Sequence, residues 1–194
     1  KAQGVFLQEN EVWKGSYYAD LRNPLWAKSL LEDQIPAIIK QGFNGLFLDT
    51  LDNSIELELV NPKKYMGMQL AAVSLVKWIH NNNPNIKIMV NRAYPLLSQM
   101  APDINYVLAE SLYTSYDFKT KKYSVRPQKA YEEEVNSLKK LKEKFPHLKI
   151  FTVDYWEESD QKMIDKIYKV ERENGFIPYV SNVLLNKVYF KGKK

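Results

Sequence analysis

Carboxylates recur in this sequence directly after short apolar runs. Asp49 follows Gly45-Leu46-Phe47-Leu48, Glu110 follows Tyr106-Val107-Leu108-Ala109, and Asp154 follows Leu148–Val153. Asp52 stands close behind Asp49, and Asp20 closes an aromatic-rich run. Asn91 with Arg92, Tyr155, and Ser181 with Asn182 close or follow similar segments. Two carboxylates on different strands can protonate a glycosidic oxygen and attack or stabilise the anomeric carbon. Competing chemistries find little support. The only histidines, His80 and His147, lie near the opposite ends of the strands, which disfavours histidine-dependent zinc and Ser-His-Asp chemistry. There is no cysteine, so disulfides, thiolate metal sites and cysteine nucleophiles are excluded. The glycines form no phosphate-cradling loop. Neither a metal nor a cofactor is expected.

Each residue also has a plainer reading. Asp52 or Asp154 alone is equally compatible with a helix N-cap. Asn91 suits a turn that needs left-handed geometry, and Arg92 suits simple neutralisation of a nearby carboxylate. Glu110 is harder to explain away. Glutamate is a poor cap, and a carboxylate after a buried run is desolvated unless it is paired or used. The same argument favours function for Asp49. Trp13, Tyr94, Tyr113, Tyr116, Tyr155 and Trp156 suit stacking on sugar rings, although packing is the commoner use of any one aromatic.

These residues must be placed by alternating strands and helices. Gly15–Asp20 (GSYYAD) reads as a strand. Asn23-Pro24 caps a helix that runs to Gly42, with Pro36 expected to kink or break it. A strand over Gly45–Leu48 precedes a long polar loop and a helix through Met68–Ile79. Ile86–Val90 is a strand, a short helical stretch starts at Pro95, and Ile104–Ala109 is a strand followed by a second long loop. Pro127 opens a helix carrying Tyr131, Val135, Leu138 and Leu141. Leu148–Val153 is a strand, Ser159 caps a helix that ends at Gly175, and Phe176–Val180 is the last strand. Short apolar strands separated by helices imply a parallel sheet covered on both faces, with the polar strand ends gathered at one rim.

The chain of 194 residues is read as a single domain over 1–194, with 45% hydrophobic residues and a formal net charge of +5. Much of the lysine is spread along helices or at Lys191, Lys193 and Lys194. Lys139, Lys140, Lys142 and Lys144 alternate with Leu138 and Leu141, which reads as a solvated helix face rather than a nucleic-acid stripe. No apolar run approaches the roughly 20 residues that span a bilayer. The sequence starts at Lys1 rather than Met, so an upstream segment is expected to have been removed or not included.

The segment Gly42-Phe43-Asn44-Gly45-Leu46-Phe47-Leu48-Asp49-Thr50-Leu51-Asp52 resembles the G-F-D-G-x-F-L-D-T-x-D signature of glycoside hydrolase family 114, the endo-α-1,4-polygalactosaminidases and their relatives. Trp13-Lys14-Gly15, Asp20-Leu21-Arg22, Val90-Asn91-Arg92, Ala109-Glu110-Ser111-Leu112, Val153-Asp154-Tyr155 and Gly175–Val180 are similar in the same order. Asn44 departs from the signature, at the rim away from the carboxylates. The resemblance implies a (β/α)₈ TIM barrel, here lacking its first two strands, that hydrolyses galactosamine-containing polysaccharide with an Asp–Glu pair. Glu110 matches the glutamate. Asp49 is preferred as the aspartate, with Asp52 as the alternative or supporting group. Asp20, Asn91, Arg92, Tyr113, Asp154, Tyr155 and Asn182 are expected to bind substrate. A monomer in an extracellular or periplasmic setting is also expected. The competing reading is a carbohydrate-binding or matrix module that keeps the barrel without turnover. An incomplete barrel should leave sheet edges at GSYYAD and Phe176–Val180, and should deprive Phe47, Val107 and Val180 of neighbours.

Overall fold

The structure, a computed structural model, describes residues 4–11 and 13–190; Lys191, Lys193 and Lys194 lie outside the described residues. It divides into two compact units, Lys1–Asn105 and Tyr106–Lys194.

The first unit opens with a hairpin. Strand β1 (Phe6–Glu9) pairs antiparallel with β2 (Tyr17–Ala19). The GSYYAD segment is thus a strand, but it does not enter a parallel sheet. The connection decides this, because a parallel partner needs a long crossover and a short loop does not supply one. In the loop, Asn10 N–H bonds the Ser16 carbonyl at 2.9 Å, and Gly15 takes φ 85° while donating to Glu9 Oε1 at 2.8 Å.

Asn23 caps helix α1 (Pro24–Ser29) by accepting the Leu25 N–H at 3.0 Å. The helix widens into a π-turn over Leu30–Gln34 before α2 (Ile35–Lys40). Pro36 accounts for the change. It has no N–H to donate, and its ring crowds the carbonyl four residues back, so the preceding turn opens by a residue.

Strand β3 (Gly45–Leu48) follows. The stretch expected to be a loop then folds into α3 (Asn53–Val60) and α4 (Pro62–Tyr65), and α5 (Met68–Asn82) comes next. Leu57, Tyr65 and Met68 form a buried cluster on which Leu7, Tyr18 and Leu21 pack. Helix α5 buries Met68, Ala72, Leu75, Val76 and Ile79, the spacing of one helical face. Strand β4 (Lys87–Asn91) lies parallel to β3 with Leu48 opposite Val90. Gly45 is dictated by this pairing, since a Cβ there would sit 2.9 Å from the Lys87 carbonyl oxygen. The short α6 (Leu97–Met100) and a 3₁₀ turn over Ala101–Asp103 end the unit's regular structure.

In the second unit, β5 (Tyr106–Glu110) leads into an antiparallel hairpin, β6 (Thr114–Asp117) and β7 (Lys122–Val125), where a loop is expected from sequence. Helix α7 (Gln128–Lys144) buries Tyr131, Val135 and Leu138; of the four lysines expected in solvent, Lys140 and Lys144 are exposed, while Lys139 and Lys142 are partly buried and Lys142 donates to the Gly175 carbonyl at 2.7 Å. Strand β8 (Lys149–Tyr155) pairs parallel with both β5 and β9 (Ile177–Ser181), and α8 (Gln161–Glu173) connects β8 to β9. The cap of α8 is Asp160 rather than Ser159: its side chain accepts the Met163 N–H at 3.1 Å.

The fold is therefore mixed α/β with parallel strands and helical crossovers. Strand β2 pairs with β1 in a hairpin of its own, so the parallel-sheet edge expected at GSYYAD is corrected, while β9 pairs on one side only, with β8. Of the three side chains expected to lose neighbours, only Phe47 is exposed, at 52%; Val107 and Val180 are buried. Among the described residues no helix is long and apolar enough to cross a membrane.

Candidate active site

In the first unit the end of β3 and the end of β4 meet through side chains. Asp49 Oδ1 accepts the Asn91 amide at 2.9 Å and the Thr50 N–H at 2.8 Å. Asn91 is buried at 5% exposure, so it holds the more exposed Asp49 from a fixed position. Asp52 occupies the N-cap position of α3, yet its side chain makes no capping bond. It lies 3.9 Å from Arg92 Nε instead. Arg92 neutralising a carboxylate is thus the observed contact, and capping by Asp52 is not. The two aspartates line different spaces. Asp49 borders an apolar cavity of about 450 Å³ with Tyr18, Trp26 and Leu48. Asp52 and Arg92 line a more open cleft of about 430 Å³ with Glu56 and Tyr94.

Asp20 does not join either group. Both of its oxygens are taken by the Arg22 guanidinium, at 2.8 Å each, and Arg22 also donates to the Lys64 and Met66 carbonyls. The pairing with Arg22 lowers the Asp20 pKa and ties the end of β2 to the turn before α5.

In the second unit, Glu110 is half-buried at the end of β5, and Tyr155 at the end of β8 donates its hydroxyl to Glu110 Oε1 at 2.7 Å. The loop after Glu110 is held from two sides. Asp154 Oδ1 accepts the Tyr113 N–H at 2.9 Å, the Thr114 N–H at 2.8 Å and the Thr114 hydroxyl at 3.0 Å. Arg126 donates to the Ser111 and Leu112 carbonyls and forms a two-pronged pair with Glu134 at 2.6 and 3.1 Å. Asp154 is fully buried and Tyr113 nearly so, which makes them supports of the loop in this conformation. Burial pushes the Asp154 carboxyl up to about 6 against the pull of the Thr114 and Tyr113 hydrogen bonds. Asn182 donates to Glu158, Asn186 and Tyr189.

Backbone strain marks the same strand ends. Thr50, Arg92, Ala93 and Ser111 take φ values of 61°, 53°, 50° and 54°, and none is glycine. Each such residue costs on the order of 1–3 kcal/mol and persists where its surroundings over-determine it, commonly at functional sites. Thr50, Arg92 and Ser111 follow Asp49, Asn91 and Glu110 directly, and Ala93 follows Arg92. Ala93→Gly should relieve this cost and raise stability by up to about 1 kcal/mol. A thermal melt checks it, and a lowered midpoint contradicts the strain reading. Sequence reading missed Thr114, Arg126 and the left-handed residues. Arg126 gives no local signal, because its partners lie up to 15 residues away.

A model of the glycoside-hydrolase family GH114 matches residues 2–193. The chain belongs to that family. Glycoside hydrolysis is therefore its activity class, and a polysaccharide its class of substrate. The chain is 27% identical to the glycoside hydrolase domain of PelA from Pseudomonas aeruginosa, with a TM-score of 0.81 over 96% of this chain and 71% of that one. A glutamate-to-alanine variant of that PelA domain matches in fold at 24% identity and TM-score 0.80, over 95% of this chain and 70% of that one. No curated protein matches the chain. Most glycoside hydrolases work through a pair of carboxylates that flank the scissile bond.

Proposed function

We propose that this glycoside hydrolase cleaves galactosamine-containing exopolysaccharide internally, as the endo-α-1,4-polygalactosaminidases do, using Glu110 with an aspartate of the Asp49–Asp52 segment. The observation that carries the reading is the Tyr155–Glu110 hydrogen bond between strand ends, beside a loop held by Asp154 and Arg126. It fixes one carboxylate of a family that works through such pairs. Glu110 donates a proton to the glycosidic oxygen as the C1–O bond breaks. The aspartate either attacks C1 or takes a proton from the attacking water. Asn91 and Arg92 position the aspartates, Tyr155 positions Glu110, and the parallel strands belong to a (β/α)₈ barrel. An exported enzyme acting outside the cytoplasm fits a polymeric substrate.

Release of reducing ends from partially deacetylated α-1,4-polygalactosamine tests the substrate. Endo-cleavage gives a rapid fall in polymer length, and an intact polymer refutes the specificity. Asp49→Asn and Asp52→Asn separate the two aspartates. The reacting one loses roughly a hundredfold or more of kcat, while the supporting one loses about tenfold.

A further inference from the structure

The β6–β7 hairpin carries an aromatic face for which the catalytic pair has no use. Tyr116 and Tyr123 are directly opposed across the hairpin, and their rings lie 4.7 Å apart. Their neighbours Ser115 and Ser124 hydrogen-bond to each other at 2.8 Å and project to the other face, as the two-residue period of strands requires. The aromatic row continues in both directions. Tyr123 meets Trp156 at 5.9 Å, and Tyr116 meets Phe118 at 5.0 Å.

One end of the row, Trp156, adjoins in sequence the tyrosine that bonds Glu110, Tyr155. The other end reaches the hairpin tip, where Phe118 is 70% exposed. The tip is ordered by Asp117, which accepts the Lys119 and Thr120 N–H groups at 2.8 and 3.1 Å. The ring orientations are also fixed: Trp156 Nε1 donates to Asp160 at 3.1 Å, and the Tyr123 hydroxyl accepts the Val183 N–H at 3.2 Å. Packing alone does not account for the row, because a packing role would bury Phe118 rather than present it on a tied turn.

We propose that Tyr116, Phe118, Tyr123 and Trp156 form a stacking track for successive pyranose rings of the polysaccharide, leading away from Glu110. The C–H faces of a sugar ring lie flat on an aromatic face, much as other apolar groups do, while its hydroxyls stay in water. The track gives the enzyme a grip on long chains and little on short ones. The proposal rests on Glu110 marking the site of cleavage.

Binding is measured by calorimetry with partially deacetylated α-1,4-galactosamine oligosaccharides, from the disaccharide upward. The Glu110→Gln variant serves as parent, so binding is read without turnover. Activity of the unmodified enzyme is measured separately, so failure of the catalytic reading and failure of the track give different results. Affinity should rise with chain length in the parent. Phe118→Ala and Tyr116→Ala should each weaken binding of the longest oligomers by roughly fivefold to tenfold and that of the disaccharide by less than about twofold. Tyr116→Phe, which keeps the ring, should retain parental affinity. Phe118 is exposed, so its variant does not threaten folding, and circular dichroism verifies this. The proposal is overturned if affinity in the parent is absent or independent of length, if the alanine variants bind long oligomers as the parent does, or if they weaken all lengths equally.

Discussion

Glu110→Gln is expected to lower kcat by roughly a hundredfold to ten-thousandfold while the protein keeps its melting behaviour. The change is isosteric, and an amide can still accept the Tyr155 hydroxyl bond seen at 2.7 Å. In the proposed mechanism, what it would lose is the proton for the leaving oxygen. A substrate whose leaving group needs no protonation, such as an activated aryl glycoside, should therefore recover much of the rate. Tyr155→Phe should have a smaller effect of about tenfold, because it would leave the proposed acid in place and remove the hydroxyl bond that positions it. Near-normal turnover of the polymer by Glu110→Gln, measured as reducing ends, excludes Glu110 as the acid. Loss of folding in the same variant would mean that the residue supports structure instead.

The second large effect concerns stability. Glu171 lies on α8, fully buried, with Oε1 accepting the Tyr131 hydroxyl at 2.9 Å. Neither Glu171 Oε2 nor Asp154 Oδ2 has a hydrogen-bond partner among the described residues. Burial, reinforced by the negative charge of Asp154, pushes Glu171 up to about 7, and burial pushes Asp154 up to about 6. Both groups therefore bind protons more tightly in the folded state than in the unfolded chain. Their contribution to stability is complete below the ordinary carboxylate range and is lost as pH rises through about 6 to 7. Carboxyls with lowered values, such as Asp20 beside Arg22 and Glu158 beside Lys187, stay ionised above pH 5 and add no slope there. The melting temperature should thus fall between about pH 5 and 8. Glu171→Gln removes the ionisable group from the buried site, so it should flatten that fall and raise stability at about pH 8 by roughly 2 kcal/mol, each pKa unit being worth about 1.4 kcal/mol. A flat profile in the unmodified protein, or a lower melting temperature for the variant at alkaline pH, contradicts this account.

Much of this molecule was legible from residue order because its signals are local. Helix α7 buries Tyr131, Val135 and Leu138, and α5 buries Met68, Leu75, Val76 and Ile79, as their periodicity selects, although Leu70 is exposed and Leu141 only half-buried. Asn23-Pro24 starts α1, and each parallel strand lies within two residues of its apolar run. The carboxylates sit after those strands because the apolar run stops there. Their identity as a pattern was also visible in the segment from Gly42 to Asp52, where Gly45 has a packing reason that the structure makes explicit.

Partners remote in sequence were not legible. The sequence offers Asp154 to a helix cap or a ligand. Tertiary structure buries it and gives one oxygen to Tyr113 and Thr114, about 40 residues away. It offers Asp52 the cap of α3, and the fold turns that side chain to Arg92. The helices α3 and α4 and the β6–β7 hairpin escaped notice because they are short or weakly patterned, and such elements form only when something packs against them. The direction of the GSYYAD strand was equally hidden, since strand propensity says nothing about which strand will pair with it. Sequence by itself determined where the chain turns polar after each strand and hence which residues can do chemistry. Only tertiary structure decided which of those residues are spent holding loops and which remain poised at the surface, because that choice depends on burial and hydrogen-bond satisfaction between segments distant in the chain.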